Sequence, residues 1–151
     1  MGHIPGVETL TRQLVAEIAA LPLTDRIAAL NRVRAALHGV SPFVNEPVDL
    51  VLWVPAESVH ANDYNPNQVA PPEMRLLQLS IEADGYTQPI VTHTDHGEHE
   101  VVDGFHRNRV GKEVEAVRSR VHGHLPITHI NETRSARTDR IAATIRHNRA
   151  R

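Results

Sequence analysis

The 151-residue chain contains no cysteine, which excludes disulfides, thiolate-bound metals and a cysteine nucleophile. Any chemistry must therefore come from carboxylates, histidines, arginines, hydroxyls and backbone amides. The sequence also lacks a run of about 18 apolar residues long enough to cross a bilayer, and the N-terminus lacks the charged-then-apolar order of a secretory signal. A soluble, cytoplasmic protein with no membrane partner is the expectation. Eleven histidines are present, but no pair forms HExxH, so metal ligation is the weaker reading of them.

What is present fits one ordinary core, at 40% hydrophobic residues, plus a small helical appendage. The formal charge of −2 conceals an asymmetry: from residue 131 onward Arg134, Arg137, Arg140, Arg146, Arg149 and Arg151 face only Glu132 and Asp139. Arginine forks suit phosphate oxygens; a solvated helix face is the other reading of such a run.

Leu10, Leu14, Ile18 and Leu21, then Ile27, Leu30, Val33 and Leu37 after a cap at Thr24, recur at helical spacing and predict an N-terminal hairpin over 1–40, stopped by Gly39 and Pro42. Its apolar stripes need a partner, either the main domain or a second copy of the chain in a homodimer. Residues 41–49 read as a linker and 50–151 as the main domain. That domain opens with a strand at Leu50–Val54 closed by Pro55, and an Asn65-Pro66-Asn67 turn follows. A helix over Pro72–Ala83 stops at Asp84-Gly85. Strands are expected at Pro89–Thr92 and His99–Val102 around a turn at Asp95-His96-Gly97, and a last helix from Ser135.

Chemistry is first suggested where the third strand meets a helix, at Val102-Asp103-Gly104-Phe105. Glycine at such a junction lets a ligand approach the backbone, the helix start offers amide N–H groups, and His106, Arg107 and Arg109 add cationic donors. A capped structural helix is the bland alternative for this segment taken alone.

Four ordered segments sharpen it. Trp53-Val54-Pro55 with Tyr64-Asn65-Pro66, Gly85-Tyr86-Thr87-Gln88-Pro89-Ile90, Asp103-Gly104-Phe105-His106-Arg107-Asn108-Arg109 followed by Gly123–Ile127, and Arg146-His147-Asn148-Arg149 resemble the successive motifs of the ParB/sulfiredoxin-like superfamily. Across residues 50–151 the wording is most similar to ParB-domain prophage co-activators of the IbrB type. The resemblance implies an α+β fold, a small mixed sheet flanked by helices, here preceded by the helical hairpin. It implies a nucleoside triphosphate, CTP or ATP, with Mg2+. Gly85, Thr87, Gln88, Pro89, Gly104, Phe105, His106, Arg107, Arg109, Asn148 and Arg149 would bind the nucleotide: Gln88 and Thr87 at base or ribose, Gly104, His106 and Arg107 at the phosphates, Asn148 and Arg149 at the terminal phosphate or metal, with Asn148 able to ligate Mg2+ through its carbonyl. Departures matter too: Phe105 occupies the sulfiredoxin cysteine position, so sulfinic acid reduction is out, and His147 replaces a ParB glutamate.

Two functions follow from the resemblance. One is a nucleotide-responsive module in DNA transactions or transcriptional regulation. No helix-turn-helix is visible, so DNA contact would need the arginine-rich end, a partner, or a segment past Arg151, and a chain that stops inside a basic helix is expected to continue. The other is a kinase phosphorylating free serine or another small hydroxyl acceptor, with Asp63 as base and Asp103 on acceptor or metal. A nuclease or purely structural role takes what remains.

Overall fold

The computed structural model describes residues 2, 4–62, 71–131 and 137–149, the side chains of 137–139 and 148 excepted. The chain divides into two units, Met1–Ser41 and Pro42–Arg151. The first is a helical hairpin of α1 (Pro5–Ala19) and α2 (Leu23–His38). Pro5 opens α1, where its missing N–H costs nothing. Pro22, with φ fixed at −58°, is the residue before α2 and no side chain caps that helix, so Thr24 lies inside the first turn and is not the cap its chemistry suggests.

The second unit carries, in order, β1 (Leu52–Pro55), β2 (Val59–His60), α3 (Pro71–Asp84), β3 (Ile90–Asp95), β4 (Glu98–Asp103), α4 (Phe105–Glu113), α5 (Glu115–Arg120), β5 (His124–His129) and α6 (Arg137–Arg149). The strands form one mixed sheet in the order β1-β5-β3-β4-β2. β1 runs antiparallel to β5 and β3 antiparallel to β4, whereas β3 with β5 and β2 with β4 are parallel. This is the expected α+β architecture. β1 begins two residues later than the apolar run suggests, because Leu50 still closes the short 3-10 turn of Pro47–Asp49. Pro55 belongs to the strand, which its edge position permits.

Alternation along the strands separates two faces. Val59, Ile90, Val101, Leu125 and Ile127 are fully buried with Phe105 of α4 in one cluster, to which Leu52, Val54 and Tyr86 add. Behind it, Ile81 of α3, Val110 of α4 and Val117 of α5 form a second cluster with Met74 and Leu77, which fixes these helices on one side. Glu100 and Val102 alternate with Val101 and face α6: Thr144 Oγ1 donates to the Val102 carbonyl at 2.8 Å, and Arg140 Nε meets Glu100 Oε1 at 3.2 Å. The β3–β4 turn is a two-residue hairpin in which His96 (φ 50°) and Gly97 (φ 80°) are both left-handed.

Candidate functional site

The β4–α4 junction is built around Gly104, whose φ of +96° disfavours any residue with a Cβ. It turns the chain from the sheet into α4, and the first intrahelical bond runs from Asn108 N to Gly104 O at 2.9 Å. The amides of residues 105–107 therefore lie ahead of the helical ladder, at the positive end of the helix.

Over this helix start lies the Arg107 side chain. A Cβ on Gly104 would stand 2.9 Å from Arg107 Nη2 and 3.2 Å from its Nε. The Arg107 side chain is 12% exposed, and its guanidinium reaches three of the described groups: Nη1 donates to Gln88 Oε1 at 3.3 Å, Nη2 to the Pro89 carbonyl at 3.2 Å, and Nη2 faces Asp103 Oδ2 at 3.6 Å. From the other side His147 Nδ1 approaches the same carboxylate oxygen at 3.3 Å. One continuous line, Gln88–Arg107–Asp103–His147, thus joins the loop before β3, the helix start and α6. Gly104 itself is buried beneath Arg107.

Tyr86 supports the line from below. Its hydroxyl donates to the Arg107 carbonyl at 2.8 Å, its ring stands edge-on to Trp53 with centroids 6.3 Å apart, and burial pushes its phenol up to about 12 against the lowering pull of Arg107 and Arg120. Gly111 allows that approach: a Cβ there would lie 2.3 Å from Leu125 Cδ2 and 2.4 Å from the Tyr86 hydroxyl. Asn108, one turn beyond Gly104 on the same helix face, is 3% exposed, and its Oδ1 accepts no hydrogen bond from the described residues.

The remaining sequence candidates are distributed as follows. Gly85 (φ +78°) ends α3, its amide bonded to Ile81 O at 2.9 Å; Thr87 is exposed on the loop beside Gln88. The Phe105 ring is core, so only its backbone faces the helix start. His106 is half-buried. Arg109 points away from Arg107 around the helix: it pairs with Glu113 at 3.4 Å and lines a cleft of about 710 Å³ between α3 and α4 with Arg75, Gln78 and Val110. Arg149 is exposed near the end of α6. Asp63 and the Asn148 side chain lie outside the described residues. Sequence reasoning gave no role to Tyr86 or Asn108 and did not foresee the Asp103–His147 contact; the only signal for Tyr86 was one of two tyrosines inside a quoted motif.

No family model matches the chain. The uncharacterized protein YbdM of Escherichia coli (strain K12) is 57% identical over 145 residues, which make up 95% of this chain and 68% of that protein. The chain belongs to the YbdM family. Among solved structures, this YbdM-family chain resembles the C-terminally truncated chromosome-partitioning protein ParB from Caulobacter crescentus, complexed with CTP-gamma-S, at a TM-score of 0.53 and 22% identity over 67% of this chain. C-terminally truncated SbnI from Staphylococcus aureus matches at a TM-score of 0.45 and 25% identity over 60% of the chain. The chain spans 53% of the ParB chain and 34% of the SbnI chain. The ParB likeness establishes a ParB-like fold for the YbdM-family unit. No helix among the described residues is long and apolar enough to cross a membrane.

Proposed function

We propose that this YbdM-family protein is a nucleotide-binding module that holds the phosphates of a nucleoside triphosphate at the start of α4. The observation that carries this reading is the Arg107 guanidinium, laid over a left-handed glycine ahead of nine helical residues and tied to both Gln88 and Asp103. Among the described residues its guanidinium faces the Asp103 carboxylate at 3.6 Å; a polyphosphate entering over the 105–107 amides would offer oxygens that a planar fork binds better. On this reading Gln88 and Thr87, exposed on the loop before β3, would contact the base or ribose. The ParB structure with CTP-gamma-S gives a fold-level precedent.

The side chains present suit a nucleotide better than a bare metal. Cationic Arg107 and the helix start match an anion. Asp103 is the one described carboxylate in the line, and no group of three metal-ligating side chains occurs among the described residues. Mg2+ would enter with the phosphates, keeping waters and at most one or two protein oxygens. Since Asp103 also contacts His147, a ligand that draws Arg107 away changes the docking of α6. That coupling is the route by which binding would reach a DNA or protein partner through the arginine-rich end.

Thermal denaturation with CTP, ATP, GTP and UTP, each with Mg2+, tests the reading. A ligand at about 100 times its dissociation constant stabilises by roughly 2.7 kcal/mol, a rise of about 5–10 °C for a chain of this size. No shift with any nucleotide removes the proposal. ADP release from ATP with free serine separates phosphotransfer, for which Asp63 would be the base, from binding alone.

A further inference from the structure

Helices α3 and α4 share the second cluster, in which Ile81 and Val110 are both buried. Beside that contact they leave the cleft of about 710 Å³, lined from residues 71–78 of α3 and 109–114 of α4. The helical period sorts its lining. On α4, Val110 and Val114 stand one turn apart and make an apolar floor with Met74 of α3; Arg109 and Glu113, each one position earlier, stand at the rim. On α3, Arg75 and Gln78 directly follow Met74 and Leu77, which places both at the edge of the buried stripe.

The charges in the cleft do not cancel. Arg109 is paired with Glu113 at 3.4 Å. Arg75 is exposed and makes no hydrogen bond or ion pair among the described residues. Two guanidiniums against one carboxylate leave one positive charge unmatched above an apolar floor. A carboxylate carries one negative charge and fits the planar fork of an arginine through both oxygens; a phosphate monoester carries nearly two at neutral pH. The volume lies within the roughly 300–1,000 Å³ of small-molecule sites, which combine apolar walls with a few polar groups that fix orientation.

We infer that the α3–α4 cleft binds a small monocarboxylate with an apolar body, its head group on Arg75 and its body on Met74, Val110 and Val114. The site is separate from the start of α4, because Arg109 and Arg107 point about 160° apart, and it does not rest on nucleotide binding. Octanoate is the probe, titrated into the isotope-labelled full chain and followed in amide NMR spectra. It is expected to shift the amides of residues 74–78 and 109–114 saturably. Hexanoate, two methylenes shorter, should bind about tenfold more weakly, and octylammonium, the same body with the opposite charge, weaker still. Arg75→Glu, at an exposed position, should weaken octanoate by at least about tenfold. Arg118→Glu makes the same charge change at an exposed position of α5 and should bind as the wild type does. The absence of a saturable shift with octanoate overturns the proposal. Equal binding of octylammonium, an unchanged affinity in Arg75→Glu, or an equal loss in Arg118→Glu overturns it as well.

Discussion

Replacing Gly104 with alanine isolates the contribution of the Arg107 clamp. At φ +96° an L-residue pays about 1–2 kcal/mol of backbone strain, and the new Cβ would lie 2.9 Å from Arg107 Nη2. The guanidinium is the far end of a flexible side chain, so it moves rather than clashes. In moving it loses its bonds to Gln88 and the Pro89 carbonyl, about 1 kcal/mol net. The sum, ~2–3 kcal/mol, lowers the melting temperature by about 4–12 °C for a chain of this length. Gly97→Ala is the matched control: φ there is +80° but nothing lies within 4 Å of the new methyl, so strain comes without displacement. Both variants should melt earlier, by differential scanning calorimetry. In equilibrium titration with a nucleotide triphosphate and Mg2+, only Gly104→Ala should lose affinity, by about 10–100-fold, the worth of one charge-assisted contact. A folded Gly104→Ala that binds within about twofold of wild type, or a Gly97→Ala that loses as much, refutes a role for the Arg107 clamp in binding.

Gly111→Ala should destabilise the sheet domain by about 1–3 kcal/mol in denaturant melts, because its methyl overlaps Leu125 and the Tyr86 hydroxyl. Tyr86→Phe removes the donor to the Arg107 carbonyl and should cost ~1 kcal/mol, with a larger proportional loss in nucleotide affinity than in stability. Tyr86, raised to about 12 when folded against an ordinary 10.0, stays protonated in the native state after the unfolded chain has lost that proton, so stability should fall as pH rises through 10 to 12; Tyr86→Phe should flatten that limb. At the other end of the scale, burial depresses His99 and His129, both hydrogen-bonded at 2.7 Å to the Thr94 hydroxyl. The unfolded chain then binds their protons first, so stability present above the ordinary histidine value of 6.5 should be lost as pH falls below it, and His99→Gln should blunt the slope in a pH series of thermal melts.

Local chemistry made much of this fold readable. Asp95-His96-Gly97 announces a turn with two left-handed residues, and both positions adopt it. Asp84-Gly85 ends α3 and Asp103-Gly104 starts α4 because only glycine accepts those φ values cheaply. Helix α3 was legible through Met74, Leu77 and Ile81, which do form its buried stripe. The strand pairing was not. β2 is two residues long and parallel to β4, too short for any period to register, and the placing of β5 between β1 and β3 depends on contacts far apart in sequence. The site divides in the same way. Arg107 and Gln88 were recognisable from their motifs, but Asp103 meets His147 across 44 positions, and a carboxylate at the end of a strand carries no mark of a distant partner. Arg109 is basic and near Gly104, but two positions along a helix turn a side chain about 160° from Arg107, and it pairs with Glu113 at 3.4 Å.

Whether the start of α4 holds phosphate is read by isothermal titration calorimetry of the wild type and Arg107→Ala, each with CTP and with ATP in Mg2+. Wild type should bind one nucleotide per chain, and Arg107→Ala should bind it at least about tenfold more weakly, since a charge-assisted contact to phosphate is worth roughly 1.5–3 kcal/mol. Equal binding by the two proteins, or no heat from the wild type with either nucleotide, contradicts a phosphate site at the start of α4.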